Sequence, residues 1–268
     1  SLITVGSAAN TLGGAGGPLA VFVVAVVAAE IGKIVSKETK IDIIVTPLVT
    51  IIVGVLVAMA CAPAIGAAAT SVGSAIMWAT DLQPFWMGIV VSVLVGVALT
   101  LPISSAAICA ALVLTGLAGG AAVAGCCAQM VGFAVMSFRE NKWGGLLAQG
   151  IGTSMLQMGN IVRNPRIWIP PTVVSAITGP IATCLFKMQM NGAPVASGMG
   201  TCGLVGQIGV YTGWVTDIDA GLKMGITPMD WLGLILICFV LPAVLTPIIA
   251  APLRKMGWIK EDDLKLDL

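Results

Sequence analysis

The polar residues that could bind a ligand are concentrated in residues 157–172, which read QMGNIVRNPRIWIPPT, within a chain that is otherwise strongly apolar. Amide side chains both donate and accept hydrogen bonds, which suits a neutral sugar or polyol. A guanidinium binds a carboxylate or a phosphate through two parallel hydrogen bonds. An amide in an apolar helix must find a partner, so two glutamines elsewhere are further candidates. The predicted substrate-binding residues are Gln157, Asn160, Arg163, Asn164, Arg166, Thr172, Gln129 and Gln207.

A structural interpretation of the same stretch stays open beside the ligand-binding one. Arg163 and Arg166 fit equally well as ordinary positive charges on the cytoplasmic side of a membrane protein. Asn160 and Asn164 are residues that commonly cap helix N-termini. The sequence therefore predicts a polar site here without deciding which single side chain touches a ligand.

Residues suited to catalysis are scarce in this chain. Histidine, the commonest general base and metal ligand, is absent. The seven cysteines lie in apolar stretches without CxxC spacing, which is typical of small packing residues. Glu30 stands one turn before Lys33, where it fits a helix-end ion pair, and Asp81 fits a loop. We expect no catalytic residue, metal or cofactor, and the net charge of +1 gives no reason to expect nucleic-acid binding.

The composition predicts an all-α integral membrane protein. Hydrophobic residues make up 58% of the 268 positions, charged residues 9%, and the mean hydropathy is +1.04. Soluble domains carry roughly 25% charged residues, so this chain falls outside that class. Several apolar runs are long enough to cross a hydrocarbon core of about 30 Å. We expect one transmembrane domain over residues 1–268, and the Ser1 start, which has no signal-peptide features, leaves open that a first helix is missing.

Basic residues fall in three clusters that predict the topology. They are Lys33, Lys37 and Lys40, then Arg139 and Lys142, then Arg254, Lys255, Lys260 and Lys265. The positive-inside rule places all three clusters, and with them the tail 254–268, on the cytoplasmic side. An even number of passes must then separate the first two clusters, and the acidic loop 216–230 lies outside. Predicted passes are residues 43–62, 85–101, 103–117, 121–138 and 231–251, with the small-residue segment 63–80 as an outer element.

Residues 144–213 contain polar side chains and five prolines, so no uninterrupted 20-residue helix fits there. Broken backbone at membrane depth is tolerated only inside protein or along a water-filled cavity, which favours re-entrant hairpins. Glycines recur every third residue from Gly200 to Gly209, which indicates close approach to another backbone. A weak similarity between residues 102–129 and 171–207 raises the alternative of an internal repeat.

Several motifs resemble the membrane subunit IIC of bacterial phosphotransferase-system sugar transporters. They are CCAQMVGFAV from Cys126, REN from Arg139, NPRIWIPPT from Asn164, SAITGP from Ser175 and GMGTCGLVGQ from Gly198. The chain is most similar to a divergent branch that includes the perfringolysin-regulator-like membrane proteins. The resemblance implies a multi-pass protein of the bacterial inner membrane that binds a sugar at mid-membrane. It also implies a homodimer and a separate cytoplasmic IIB protein that phosphorylates the sugar.

The sequence departs from that family at the residues used near the sugar. Better-characterised IIC subunits use a histidine and a glutamate, whereas this chain has no histidine and carries Gly225-Ile-Thr-Pro where they have Gly-Ile-Thr-Glu-Pro. Two alternatives therefore stand beside the sugar transporter. One is a phosphorylation-independent transporter of a small polar or anionic solute, and the other is a membrane sensor or regulator on the same fold.

Overall fold

The computed structural model describes residues 17–36 and 42–266. Lys37 and Lys40 of the first basic cluster lie outside the described residues. Apart from one isolated antiparallel bridge between Gly116 and Met190, the described part contains helices, turns and irregular segments, which confirms the all-α prediction. Four helical segments are long and apolar enough to cross a membrane: Asp42–Leu82, Gly116–Met136, Pro165–Leu185 and Pro228–Lys255.

The α-helices are numbered here in chain order. They are α1 (Gly17–Val35), α2 (Asp42–Leu82), α3 (Pro84–Thr100), α4 (Ser105–Ala111), α5 (Gly116–Met136), α6 (Phe138–Leu147), α7 (Met158–Arg163), α8 (Ile169–Pro180), α9 (Val205–Asp219), α10 (Pro228–Ile235) and α11 (Leu241–Lys255). Short π-helical turns continue α6, α8 and α10, at Ala148–Gly152, Ile181–Leu185 and Leu236–Val240. Short 3₁₀ turns lie at Ser154–Gln157, Pro165–Trp168, Pro194–Gly198 and Cys202–Leu204.

The chain divides into two compact units, of which the first comprises Ser1–Gly73 with Ala110–Leu112. Within it, α1 runs antiparallel to the beginning of α2, because Gly32 faces Thr50 and Ala28 faces Gly54. The prediction that a pass ends at residue 62 and a separate element covers 63–80 is wrong. Helix α2 continues through Pro63 without a break, and its total length is 41 residues. At 1.5 Å per residue that is about 60 Å, twice the thickness of a hydrocarbon core.

The second unit, Ser74–Cys109 with Val113–Leu268, is built around α5. In the most apolar window of α5, 94% of the residues are buried, the highest share among the four candidate spans. Small residues make this possible, because glycine and alanine let neighbouring backbones approach closely in a membrane helix. A Cβ on Gly125 would lie 1.9 Å from the carbonyl oxygen of Ser92 in α3. Small residues thus let the backbone of α3 lie directly against that of α5.

Contacts fix the directions of the helices around α5. Helix α3 runs parallel to it, since Ser92 lies beside Gly125 and the Thr100 hydroxyl lies 3.4 Å from the amide of Gln129. Helix α8 runs antiparallel to α3, since the Ser92 hydroxyl donates to the carbonyl of Ser175 at 2.8 Å and the Thr183 hydroxyl donates to that of Pro84 at 2.7 Å. Since α3 and α5 are parallel, residues 101–115 must lead from the C-terminal end of α3 back to the level of the N-terminal end of α5.

The segment Pro228–Lys255 also runs parallel to α5. Ile237 packs in one apolar cluster with Val123, and Arg254 donates to the carbonyl of Met136 at the far end of α5, at 3.0 Å. The C-terminal tail therefore begins beside the end of α5 that leads into residues 137–163.

The chain turns back on itself twice in the part that includes residues 144–213, and these two segments are called hairpins here; that they re-enter a membrane stays a prediction. The first hairpin, residues 137–163, leaves the C-terminal end of α5 and turns back through the irregular segment around Gly150 and Ser154. The second hairpin, residues 190–219, starts beside the N-terminal end of α5, where Met190 pairs with Gly116, and returns as α9. The two segments of the proposed internal repeat differ in structure, because residues 119–126 lie in α5 whereas residues 192–198 form a loop and a 3₁₀ turn.

The two ends of α5 give a test of the predicted topology. Lys142 follows the C-terminal end of α5, whereas Asp219 ends α9 in the second hairpin, which starts beside the N-terminal end. We expect an impermeant thiol reagent added outside intact cells to label Asp219→Cys and not Lys142→Cys. Peptide mass spectrometry identifies the labelled position and distinguishes it from the native cysteines. Permeabilised cells, in which both positions react, are the control. Labelling of both positions in intact cells would contradict the topology.

Candidate functional site

The end of the first hairpin, around residues 157–166, contacts the C-terminal tail, and this contact is called the hairpin base. Gln157 is fully buried, and its amide nitrogen donates to the carbonyl of Leu264 and to the side-chain oxygen of Gln149, both at 3.0 Å. Asn160 donates to the Gln157 side-chain oxygen and to the carbonyl of Lys265, both at 2.8 Å. These two predicted site residues therefore use their amide groups on each other and on the tail.

Asn164 and Arg166 also contact the tail. The Asn164 amide nitrogen donates to the carbonyl of Trp258 at 2.8 Å and to a carboxylate oxygen of Asp263 at 2.7 Å. The Arg166 guanidinium lies 5.1 Å from the centre of the Trp258 ring, within the range of a cation–π interaction. Asn164 also accepts a hydrogen bond from the backbone nitrogen of Arg166 at 3.2 Å, which is the capping role that the alternative interpretation assigned to it.

Arg163 lies on the open side of the same base. It lines a cavity of about 480 Å³ together with Asn160, Asp262 and Lys265. Of the eight predicted site residues, Gln157, Asn160, Arg163, Asn164 and Arg166 are thus brought together, at one end of the molecule. A substrate contact by any of them stays a prediction.

Loss of the Asn164 side chain should release the tail. We expect Asn164→Ala to speed tryptic cleavage after Lys260 in the folded protein by about tenfold, because opening the tail no longer breaks two hydrogen bonds. The matched control is Asn191→Ala, which also removes an amide side chain but breaks hydrogen bonds to Asp217, Gln189 and the backbone nitrogen of Gly116 instead of bonds to the tail. Equal cleavage rates in the two variants, read by intact-mass spectrometry, would show that Asn164 does not hold the tail.

Gln129 and Thr172 lie in a second polar cluster, between α3, α5 and α8. The Gln129 amide nitrogen donates to the Thr172 hydroxyl at 3.2 Å and lies 3.4 Å from that of Ser175. Its oxygen accepts from the indole nitrogen of Trp168 at 3.0 Å and from the Thr100 hydroxyl at 3.4 Å. Every polar atom of the Gln129 side chain therefore has a protein partner, which is what a buried amide holding helices together requires.

The tips of the two hairpins meet inside the molecule. The Thr201 hydroxyl, at the tip of the second hairpin, donates to the carbonyl of Gly150 in the first hairpin at 2.5 Å. Thr201 also lies beside Met130 of α5, and Gly150 lies beside Ala134. We call this contact the hairpin junction. At a rise of 1.5 Å per residue, Met130 lies about 10 Å from the C-terminal end of α5 and about 20 Å from its N-terminal end.

Glycines allow the second hairpin to turn at that depth. Gly200 and Gly203 both have φ of +53°, a left-handed conformation that side chains other than glycine rarely adopt. A Cβ on Gly200 would also lie 2.9 Å from the backbone carbon of Cys126. The predicted contact between the glycine row and another backbone is therefore present, and the partner is the middle of α5.

Gln207 lies beside the hairpin junction, in the first turn of α9. The residue is 92% buried, and its amide nitrogen donates to the Cys127 sulfur at 3.2 Å. Its amide oxygen has no hydrogen-bond partner in the described part of the chain. A buried acceptor without a partner costs about 1–3 kcal/mol, so such an atom indicates a missing donor. Sugar hydroxyls are donors of that kind.

The junction is also open on one side. Gly203 and Leu204 are exposed, and Cys202 is half-buried. Irregular backbone at membrane depth cannot face lipid, because its N–H and C=O groups would lack partners. This side of the junction must therefore face either a water-filled path or another protein surface.

A separate cavity of about 200 Å³ lies at the other end of α5, between the second hairpin and α10. Trp214 forms one wall, Asn191 donates to Asp217 at 2.8 Å, and Lys223 pairs with Asp230 at 2.7 Å. Aromatic, amide and carboxylate groups around a small cavity suit a polar ligand with apolar faces. The sequence marked this stretch only as an acidic outer loop, because the cavity depends on contacts between distant residues.

Comparison with known proteins decides the family. The family described as "Phosphotransferase system, EIIC" matches residues 1–266, almost the whole chain. The chain belongs to this family. The resemblance seen in the motifs is thereby confirmed, and the protein is a multi-pass, sugar-transporting membrane subunit of the phosphotransferase system. Neither the curated proteins nor the solved structures contain a significant match to this EIIC subunit.

Proposed function

We propose that this EIIC subunit binds a neutral sugar at the hairpin junction and carries it inward across a bacterial inner membrane, as one half of a homodimer. The observation that supports this site is the meeting of the two hairpins at Thr201 and Gly150, beside a Gln207 oxygen that no described residue bonds. Discontinuous helices that meet near the midplane are the way transporters combine a polar site with a membrane span.

The proposed coupling uses a separate IIB protein on the cytoplasmic side. A sugar hydroxyl oxygen would form the new bond to phosphorus while the bond from phosphorus to the IIB side chain breaks, and the hydroxyl proton would pass to the departing IIB side chain or to solvent. This chain has no histidine to accept that proton. The group that takes it belongs in this proposal to the IIB partner or to solvent.

In the same proposal, the side-chain amides at the hairpin base position the first hairpin and do not bind the sugar themselves. Gln157 and Asn160 fix the first hairpin against the tail, and the tip of that hairpin carries Gly150 and Ser154. Since Ser154 also bonds the Thr100 hydroxyl at 2.9 Å, movement at the base would shift the junction relative to α3. Inward release of the sugar then requires the tail and the first hairpin to move together.

A thermal-stability screen of the purified protein in detergent tests the substrate class. Ligands at about 100 times their dissociation constant add roughly 2.7 kcal/mol of stability, enough to raise the melting temperature measurably. We expect a shift with one neutral sugar or hexitol and none with its epimers. A shift only with sugar phosphates or organic acids would overturn the sugar proposal. It would favour an anion transporter, for which Arg163 and Lys265 in the cavity at the hairpin base offer positive charge.

A further inference from the structure

A cleft of about 530 Å³ lies at the C-terminal ends of α5 and α11, against α6 of the first hairpin, and shares no lining residue with the cavity at the hairpin base. Its wall is apolar and is formed by residues such as Val135, Leu146, Pro247 and Ala251. Its rim carries three cations, Arg139, Arg254 and Lys255, and no carboxylate is among the described residues that line it. The cleft thus joins an apolar surface to a positively charged one.

The charges on this rim are only partly neutralised within the protein. Arg254 pairs with Glu140 at 2.9 Å and donates to the carbonyl of Met136 at 3.0 Å, so its position is fixed. Arg139 and Lys255 are exposed and form no ion pair with any described residue. The cleft therefore presents two unpaired cations beside one that is held in place.

The depth of the cleft matches the interface of a membrane. Its apolar wall continues into the span Pro228–Lys255, and its cations stand at the end of that span. Trp143, which is 69% exposed, packs edge-on against Phe138 at 5.4 Å beside it. Exposed tryptophan at the end of a membrane helix is typical of the headgroup region.

We propose that this cleft binds the headgroup of an anionic phospholipid, with the phosphate held by Arg139 and Lys255 and an acyl chain lying along Pro247 and Ala251. The charge of the rim selects the anionic lipid, because basic recesses between helices at a membrane surface attract such headgroups. The apolar wall selects a lipid over a free phosphate, which would leave that surface uncovered. Sugar transport takes no part in this argument, so the lipid site and the hairpin junction can fail separately.

The proposal is tested by adding phosphatidylglycerol with brominated acyl chains to the protein in detergent. Binding of this lipid is measured as quenching of tryptophan fluorescence. We expect saturable quenching by the brominated anionic lipid and not by brominated phosphatidylcholine. The double variant Arg139→Gln/Lys255→Gln should bind the anionic lipid about thirtyfold more weakly. The control Lys260→Gln/Lys265→Gln removes the same charge from the tail, outside the cleft, and should bind as the unmodified protein does.

Two further variants separate specific binding from general attraction. Ala251→Phe fills the apolar wall without changing the charge or adding a tryptophan, and we expect it to weaken binding of the anionic lipid as well. Arg139→Lys/Lys255→Arg keeps the charge and should keep the binding. Equal weakening in the cleft and tail double variants, or equal quenching by the two lipids, would overturn the proposal. Competition by inorganic phosphate alone would show that the cleft takes a free anion, and that result would overturn it too.

Discussion

The Gln207→Leu variant should lose affinity for the transported sugar at least tenfold while its melting temperature without ligand stays the same or rises. The Gln207 amide oxygen is buried and has no partner among the described residues, so replacing the amide with an apolar group of similar size removes a cost to the folded protein. If a sugar hydroxyl donates to that oxygen, the same change removes a buried hydrogen bond from the complex. Isothermal titration with the sugar found in the ligand screen measures the affinity.

Gln129→Leu is the matched control for this prediction. Gln129 is another buried glutamine, but both ends of its amide are bonded, to Thr172 and Trp168 among others. We expect Gln129→Leu to lower the melting temperature, because the partners of the amide are left unpaired. An unchanged sugar affinity in Gln207→Leu would show that Gln207 does not touch the substrate, whatever happens to stability.

Gly125→Ala should destabilise the protein by about 3 kcal/mol or more. A Cβ at this position would meet the Ser92 carbonyl oxygen at 1.9 Å and the Ser92 carbonyl carbon at 2.5 Å. Backbone atoms cannot rotate away as a flexible side chain can, so α3 and α5 must separate along their contact. Overpacking of a tight core typically costs about 1–3 kcal/mol, and this contact lies at the severe end. Thermal unfolding in detergent, followed by tryptophan fluorescence, measures the loss.

Gly159→Ala gives the control in the same chain. Gly159 lies in α7, and a Cβ there would meet no atom of the described residues within 4 Å. Alanine favours a helix over glycine by roughly 1 kcal/mol, so this variant should be as stable as the unmodified protein or slightly more stable. A melting temperature for Gly125→Ala equal to that of Gly159→Ala would mean that α3 and α5 do not touch at Ser92.

The membrane class and several spans could be predicted from the sequence because both depend on local composition. Residues 85–101 were predicted as one pass, and the helix found is Pro84–Thr100. Residues 231–251 likewise lie inside Pro228–Lys255. The error at Pro63 has a simple physical origin. A proline removes one hydrogen bond from a helix, but a long apolar helix can lose that bond and continue.

The contacts of the predicted amides could not be derived from their types. Gln157 and Leu264 are 107 positions apart, and nothing in either segment shows that the tail returns to the hairpin. An amide bonded to a tail and an amide bonded to a sugar have the same sequence signature. The residue types therefore predict a polar region without distinguishing an amide that bonds the tail from one that would bond a sugar.

The hairpin junction was only partly visible in the sequence. The glycine row from Gly200 to Gly209 indicated a close backbone contact, and Gln207 was among the predicted site residues. Thr201 and Gly150 were not predicted, since a threonine and a glycine in an apolar chain carry no distinguishing signal. Their role follows from a single hydrogen bond between segments 51 positions apart.

Ligand protection of Cys202 tests most directly whether the hairpin junction is the sugar site. Cys202 is half-buried at the junction, and the exposed Cys184 is the internal control because it lies in the last turn of the span Pro165–Leu185. The protein in detergent is alkylated with a small maleimide, with and without a saturating concentration of the sugar, and both thiols are quantified by peptide mass spectrometry. The proposal predicts that the sugar slows alkylation of Cys202 and leaves that of Cys184 unchanged. Equal rates at Cys202 with and without bound sugar would contradict it.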